Sequence, residues 1–186
     1  MGPGGLLESF KIGSGASKFD NPLALSNYML LRTKEKMVLE AKLKDLQLVS
    51  SNTSTIFDNF KKTDENKSAE VANPDDLQPK VDVDLLKEVD EIRKDIDEAF
   101  VRLDRMLAMA KDREEVSDFP VAFVTNILYV CEKNGIKSLI NHDAYLDILM
   151  KKQDYIHLEG IGHAAYALNS MGIYSPDVWN ALSKQV

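Results

Sequence analysis

The sequence predicts an all-α fold in which helical hairpins form an α-solenoid arrangement beside one long amphipathic helix. Three observations lead to this prediction. Apolar residues recur with heptad spacing from Leu85 to Ala110, a Gly-Ile pair recurs at residues 135 and 172, and Asn-Pro and Ser-Pro pairs mark helix starts. Each is a standard local signal for a helix or for its ends.

The first helical region is predicted over 21–62. Asn21 is a good N-cap, and Pro22 suits the first helical position because its missing N–H would be unpaired there in any case. Apolar residues follow near helical spacing at Leu39, Leu43, Leu46, Ile56, Phe57 and Phe60. The poor helix formers of 50–55 interrupt them, so this region is one helix or two. Residues 1–20, rich in Gly and Ser, are expected to form a flexible N-terminal segment.

Residues 63–80 are expected to form an acidic linker. They carry Pro74 and Pro79 and almost no apolar side chain. Such a segment cannot bury enough apolar surface to offset the conformational entropy that it would lose on ordering. A helical repeat domain is then expected over 81–186.

A long amphipathic helix is predicted at the start of that domain, because no Gly or Pro interrupts its apolar stripe. The stripe needs an apolar partner along its whole length. The region before the linker can supply one by folding back, and a second copy of the chain can supply another. We expect fold-back plus a homodimer that buries the remainder. The predicted interface residues are Leu85, Val89, Ile92, Ile96, Phe100, Leu103 and Leu107.

Two helical hairpins are predicted at 118–150 and 156–185. Their helices have start signals at Pro120, Asn141 and Ser175. The first helix of each hairpin ends at a Gly-Ile pair, where Gly takes the left-handed conformation and Ile packs back.

These hairpins are interpreted as two copies of one unit. The residues that correspond at a spacing of 37 are Val124 with Ile161, Leu128 with Ala165, and Tyr129 with Tyr166. After the turn the spacing is 34, and the pairs are Asp143 with Asp177, Tyr145 with Trp179, and Ile148 with Leu182. Paired helices at a period in the mid-thirties are typical of α-solenoid repeats. We therefore expect Tyr145 and Trp179 to pack between successive hairpins rather than to stack on bases.

The second hairpin resembles a known class of repeat. Residues 160–173, GIGHAAYALNSMGI, and residues 176–182, PDVWNAL, resemble the helical repeats of organellar proteins in the octotricopeptide and FAST-kinase-like families. Those repeats combine a helix of small residues, a Leu-Gly-type turn and a second helix with an aromatic residue. The resemblance implies a mitochondrial or plastid setting and, for most such families, the handling of RNA.

The whole outline is similar to the MIX family of trypanosomatid mitochondria, whose members are small, all-helical and tetratricopeptide-like in their C-terminal part. That resemblance implies a scaffold role, with respiratory-chain subunits as partners. It also implies an N-terminal membrane anchor. The sequence shows no such segment, and a removed anchor is one explanation. The apolar, uncharged stretch 119–131 is shorter than the roughly 20 residues of a bilayer span. No membrane span is expected.

No catalytic, cofactor or metal site is predicted. Gly160 and Gly162 lack the third Gly and the preceding strand of a nucleotide-binding fingerprint. The histidines are His142, His157 and His163. Their spacings of 15 and 6 do not place two of them on one helical face, as a zinc site on a helix requires. Cys131 is expected to be a small buried hydrophobe. The acidic string from Asp82 to Glu98 lacks the Gly of a calcium loop and is interpreted as a solvated helix face.

Charge separates the two function classes that remain. The chain carries 30 acidic and 23 basic side chains, for a net charge of −7. Because RNA affinity depends on cations that release counterions, this balance disfavours RNA, although the basic cluster between Arg32 and Lys44 leaves it open. The sequence therefore predicts a non-catalytic scaffold or assembly factor for proteins, and the resemblances imply a mitochondrial location. The alternative is an organellar RNA-binding helical-repeat protein that acts in RNA processing or translation.

Overall fold

The computed structural model describes residues 15–63 and 82–186, and every regular element in these ranges is helical. The α-helices are α1 (Pro22–Thr63), α2 (Val83–Asp112), α3 (Val121–Asn134), α4 (His142–Lys151), α5 (Leu158–Ser170) and α6 (Pro176–Ser183). Short 3-10 helices lie at Gly15–Lys18, Val116–Asp118 and Gln153–Tyr155. The all-α prediction is confirmed for these ranges. Within them, no helix combines the length and the apolar character needed to cross a membrane.

The region before the linker forms one helix rather than two. The side-chain oxygen of Asn21 accepts hydrogen bonds from the backbone N–H groups of Leu23 at 2.9 Å and Ala24 at 3.2 Å, so the predicted N-cap is confirmed. Residues 50–55 lie inside α1. Their low helix propensities amount to tenths of a kcal/mol each, and no Gly or Pro is present among them to end the helix.

Helix α2 begins at a cap that the sequence analysis missed. Oδ1 of Asp82 accepts hydrogen bonds from the backbone N–H groups of Asp84 and Leu85, at 3.1 and 3.2 Å. The sequence pattern assigns Asp82 to a solvated acidic face. Its position directly before the first helical residue gives it an N-cap role instead.

The expected fold-back of α1 onto α2 is confirmed where residues 20–32 contact residues 95–102. Asp20, just before the start of α1, accepts a hydrogen bond from Arg102 on α2. Further along α1, Tyr28 and Arg32 bind Asp95, which lies earlier on α2. The contacts move backwards along α2 as they move forwards along α1, so the two helices run antiparallel here.

Both Gly-Ile turns adopt the predicted geometry. Gly135 and Gly172 have φ angles of 64° and 69°, in the left-handed region where a Cβ is disfavoured. The N–H groups of Ile136 and Ile173 bind the carbonyls of Cys131 and Leu168, at 2.9 and 3.0 Å. These are the six-to-one bonds of a Schellman motif, and they end α3 and α5 in the same way.

The four C-terminal helices pack as two hairpins side by side. Helix α3 makes its most extensive contact with α5, α4 contacts α6, and each hairpin's two helices contact one another. A Cβ on Gly160 would lie 3.3 Å from Cγ2 of Thr125, so this glycine permits the close approach of α5 to α3. The fully buried side chains of this core include Phe123, Ile127, Leu128, Tyr145, Ile148, Leu149 and Leu168.

Three expectations for this region need correction. Asn141 and Ser175 occupy N-cap positions, but neither side chain makes a capping hydrogen bond. Asn141 is itself left-handed, with φ of 59°, and only its carbonyl serves the helix, by accepting from the N–H of Ala144. Tyr145 is buried as expected, whereas Trp179 is half-buried, so the two matched ring positions are not equivalent.

The chain divides into two compact units. Of the described residues, one unit includes 15–35 and 92–186, and the other includes 36–63 and 82–91. In the second unit, Lys36 pairs with Glu40 on α1 at 3.1 Å. Most of the predicted N-terminal segment, residues 1–14, and the predicted linker from residue 64 onward lie outside the described residues.

Candidate functional site: a groove along the second helix

The predicted interface stripe on α2 is largely covered within one chain. Ile92, Ile96, Leu103 and Leu107 are at most 2% exposed, and Val89 is also buried. The other two predicted interface residues, Leu85 and Phe100, are half-buried. A protein partner can therefore contact the described stripe without opening the fold only near these two positions, and the homodimer stays a prediction.

A different face of α2 presents apolar side chains to solvent. Val101 and Met109 are 53% and 54% exposed, eight residues apart. Arg105 lies midway between them, so these three residues fall at helical spacing on one side of α2, and Arg113 follows four residues after Met109 in the turn that ends the helix. Burial of the opposite side leaves this one free for a partner.

This face forms the floor of a groove, which we call the Arg–Met groove, with a volume of about 560 Å³. Its opposite wall comes from the turn before α1 and from the segment after α2. The α2 residues that line it are Glu98, Val101, Arg102, Arg105, Met106, Met109 and Ala110, and Arg113 lines it from the turn directly after α2. The other lining residues are Ala16, Asp20, Pro22, Glu115 and Phe119. From Glu98 on α2 to Arg113 directly after it, the floor is about 22 Å long, at 1.5 Å per residue.

Arg102 holds the N-terminal wall in place. Its Nε donates to the carbonyl oxygen of Phe19 and its Nη2 donates to Oδ1 of Asp20, both at 2.8 Å. The ring of Phe19 in turn packs on the ring of Tyr28, with centroids 5.0 Å apart. Charge-assisted hydrogen bonds are stronger than neutral ones, so the two bonds of Arg102 tie this turn to α2.

The remaining arginines of the groove have no such role. Among the described residues, neither Arg105 nor Arg113 makes an ion pair or a side-chain hydrogen bond, and both are exposed. They lie about 12 Å apart along the helix axis. Glu98 and Glu115 lie toward the two ends of the groove. The charge pattern along it is therefore negative at each end and positive between.

The side of α2 next to the core carries a buried polar pair without partners. Oδ1 of Asp104 and the hydroxyl of Tyr145 are buried, and neither has a hydrogen-bond partner among the described residues. Burial raises the pKa of the Asp104 carboxyl above its usual range. Burial, followed by the charge of Asp104, also raises the pKa of the Tyr145 hydroxyl. Neither oxygen lines the Arg–Met groove.

A second, smaller groove lies over α3, with a volume of about 310 Å³. Tyr129 is its central ring. The ammonium groups of Lys34 and Lys133 lie 5.9 and 5.6 Å from that ring's centroid, and the ring of His163 meets it edge-on at 4.8 Å. Nδ1 of His163 lies 2.6 Å from Oε2 of Glu132. Two cations beside an aromatic ring are the kinds of group that contact the phosphates and bases of single-stranded nucleic acid.

Cys131 is fully buried, and burial raises the pKa of its thiol to about 12. A thiol with so high a pKa is a poor nucleophile near neutral pH. Over the described ranges, no three side chains of the metal-ligating types cluster as a metal site would need.

The sequence pattern does not single out Val101, Arg105, Met109 and Arg113, which define the Arg–Met groove. The available signal was the appearance of Val101 and Met109 on the polar side of a strongly amphipathic helix. Isolated exposed apolar residues are common on protein surfaces, so that signal is weak without the opposing wall.

Comparisons with protein-family models, with curated proteins and with solved structures found no match to this chain.

Proposed function

We propose that the chain is a non-catalytic helical scaffold or assembly factor, and that the Arg–Met groove is the surface that receives a protein partner. The observation that carries this proposal is the exposure of Val101 and Met109 on the floor of a groove flanked by arginines. Met and Arg are enriched in the cores of protein interfaces, and methionine adapts to partners of different shape.

The groove also suits a scaffold mechanically. One side of it belongs to α2, whose other side is buried, and Arg102 fixes the facing turn. A docking surface on a rigid element loses little entropy when a partner binds. The two C-terminal hairpins extend the same compact unit, and the pairing of α3 with α5 and of α4 with α6 supports the tetratricopeptide-like interpretation.

The compartment and the partner's identity rest on sequence resemblance. Similarity of the second hairpin to organellar repeats, and of the outline to the MIX family, supports a mitochondrial location and respiratory-chain partners. Homodimerisation is part of the same proposal. Fractionation of the source organism's cells, with antibodies to the full protein, tests the compartment independently of the groove.

Site-specific photo-crosslinking in those cells tests the function. A photo-crosslinking amino acid replaces Met109 in the groove, and in a control protein it replaces Ile140, which is exposed but does not line the groove. We expect discrete crosslinked protein bands from position 109 that disappear when Val101→Glu is added. The same bands from both positions, or none from position 109, would contradict the proposal.

RNA binding is the second candidate function, and Tyr129 between Lys34 and Lys133 is the observation in its favour. Net charge opposes it, since residues 116–186 carry more acidic than basic side chains. We expect no binding to single-stranded RNA tighter than roughly micromolar at physiological salt. Fluorescence anisotropy with wild type and Tyr129→Ala decides it: nanomolar, salt-dependent binding lost in the variant would favour RNA.

A further inference from the structure

We infer that the Arg–Met groove recognises an amphipathic helix of a partner protein that carries two carboxylates seven or eight residues apart beside its apolar face. This inference rests on the proposed function, and it names the chemistry of the partner at that site. Its basis is the placement of two unpaired guanidinium groups along an open apolar floor.

The shape of the groove favours a helix. Its α2 floor extends about 22 Å, which is the length of a helix of about 15 residues. The volume of about 560 Å³ accommodates the side chains of one helix face. Helix-in-groove recognition uses apolar side chains at spacings of three, four and seven residues, and the floor offers Val101, Met106 and Met109 to such a pattern.

The charges specify the register. Arg105 lies on α2 and Arg113 directly follows its last residue, so their separation of eight residues corresponds to about 12 Å at the helical rise. A partner helix running along the groove would meet both with carboxylates that are themselves seven or eight residues apart. Because each guanidinium is free of other ion pairs among the described residues, a partner carboxylate displaces no existing contact.

The same geometry disfavours an anionic amphiphile, such as a fatty acid. A single carboxylate or phosphate head group can reach one of the two guanidinium groups but not both across about 12 Å. Glu98 and Glu115 at the two ends would in addition repel a head group bound there. The pattern of alternating arginine and apolar side chains along the floor matches a peptide more closely than a single-headed lipid.

Designed peptides test the inference on the full chain. The probe is a fluorescein-labelled helical peptide of 18 residues with a Leu and Met face and two Glu eight residues apart beside it. The first control has the same composition with both Glu on the opposite face, and the second has both Glu replaced by Lys. We expect the probe to bind at least about tenfold more tightly than either control, as two favourable ion pairs would give.

Protein variants test whether Arg105 and Arg113 cause this difference in peptide affinity. Arg105→Gln with Arg113→Gln should weaken binding of the probe about tenfold and remove its advantage over the first control. Lys42→Gln with Lys44→Gln removes two exposed charges elsewhere and should leave the advantage intact. Unchanged selectivity in the arginine variant would overturn the inference.

Other outcomes would assign the groove to a different occupant. Equal binding of all three peptides would show that the groove binds apolar side chains without selecting for charge. This would overturn the inference but not the scaffold proposal. Oleate that binds through Arg105 alone, with no peptide bound, would identify an amphiphile site. Wild-type self-association that is lost in the arginine variant, with no peptide bound, would identify a second copy. Absent crosslinks at position 109 contradict the scaffold itself, so the two failures are distinguishable.

Discussion

The hydroxyl of Tyr28 on α1 donates a hydrogen bond to Oδ2 of Asp95 on α2, which lies 67 residues later in the chain. The same carboxylate oxygen accepts a hydrogen bond from Nε of Arg32 at 2.9 Å. Asp95 is only 8% exposed. Burial and the hydrogen bond to Asp95 raise the pKa of the Tyr28 hydroxyl, so Tyr28 remains the donor across the physiological pH range. This cluster is the polar contact that fixes the register of α1 on α2.

Asp95→Ala should therefore destabilise the protein by about 2–4 kcal/mol, since it leaves the Arg32 guanidinium and the Tyr28 hydroxyl without their shared acceptor. Urea denaturation followed by circular dichroism gives the change in the free energy of unfolding. Asp97→Ala, at an exposed position on α2, is the matched control and should change it by less than about 0.5 kcal/mol. Equal effects of the two substitutions would show that the cluster does not hold α1 in place.

The ring and the hydroxyl of Tyr145 are expected to have opposite effects on the stability of the fold. Its ring stacks on Phe123 with centroids 5.4 Å apart, and its hydroxyl is buried without a partner among the described residues. Tyr145→Ala should cost about 3–5 kcal/mol, whereas Tyr145→Phe should be neutral or stabilise the fold by up to about 1 kcal/mol. Thermal denaturation measures both. Tyr174→Ala, at a ring that is 78% exposed, is the control. A destabilising Tyr145→Phe would mean that the hydroxyl is bonded in solution.

Asp104 should make the protein less stable as its carboxyl ionises. Burial raises the pKa of this carboxyl in the folded state, so the folded chain binds the proton more tightly than the unfolded chain does. Its contribution to stability is therefore fully present below the unfolded carboxyl pKa and is lost as pH rises through the folded value. Asp104→Asn should raise the free energy of unfolding at pH 7 by less than about 1 kcal/mol, because the group is partly exposed. Urea denaturation from pH 3 to 7 measures it, and a gain that is equal at pH 3 would contradict this origin.

The parts of this fold that were predictable are those that depend on neighbouring residues. Gly135 and Gly172 signal their turns because only the local backbone decides whether a left-handed residue is needed. Asp95 looked like one more charge on a solvated face, because its burial depends on Tyr28 and Arg32 more than 60 residues away. Arg105 was missed for a similar reason. Its place in a groove depends on the turn at Gly15–Lys18 and the segment after α2, which no local pattern connects to it.

Cys131 should be inert in the folded protein. Its side chain is fully buried on α3, and burial raises the pKa of the thiol to about 12. Iodoacetamide at pH 8 should therefore leave the native chain unmodified for as long as it stays folded, and should alkylate it promptly in urea, where the thiol returns to its ordinary pKa. Intact-mass spectrometry follows the reaction. Rapid alkylation of the native chain would show that α3 opens readily in solution.

Self-association should involve the start of α2, where the described apolar stripe is least covered. Val83 and Leu86 are 71% and 43% exposed, and Leu85 between them is half-buried, whereas Ile96 is already buried within one chain. A charge at Ile96 would unfold the chain and could not report on a dimer. Sedimentation equilibrium at tens of micromolar should show a reversible dimer for wild type and a folded monomer for Val83→Glu with Leu86→Glu. The control adds the same two charges at Ile140 and Tyr174, which are exposed elsewhere, and it should still dimerise. A monomeric wild type at these concentrations would show that fold-back alone covers the stripe, and a control that also loses the dimer would attribute the loss to net charge rather than to this surface.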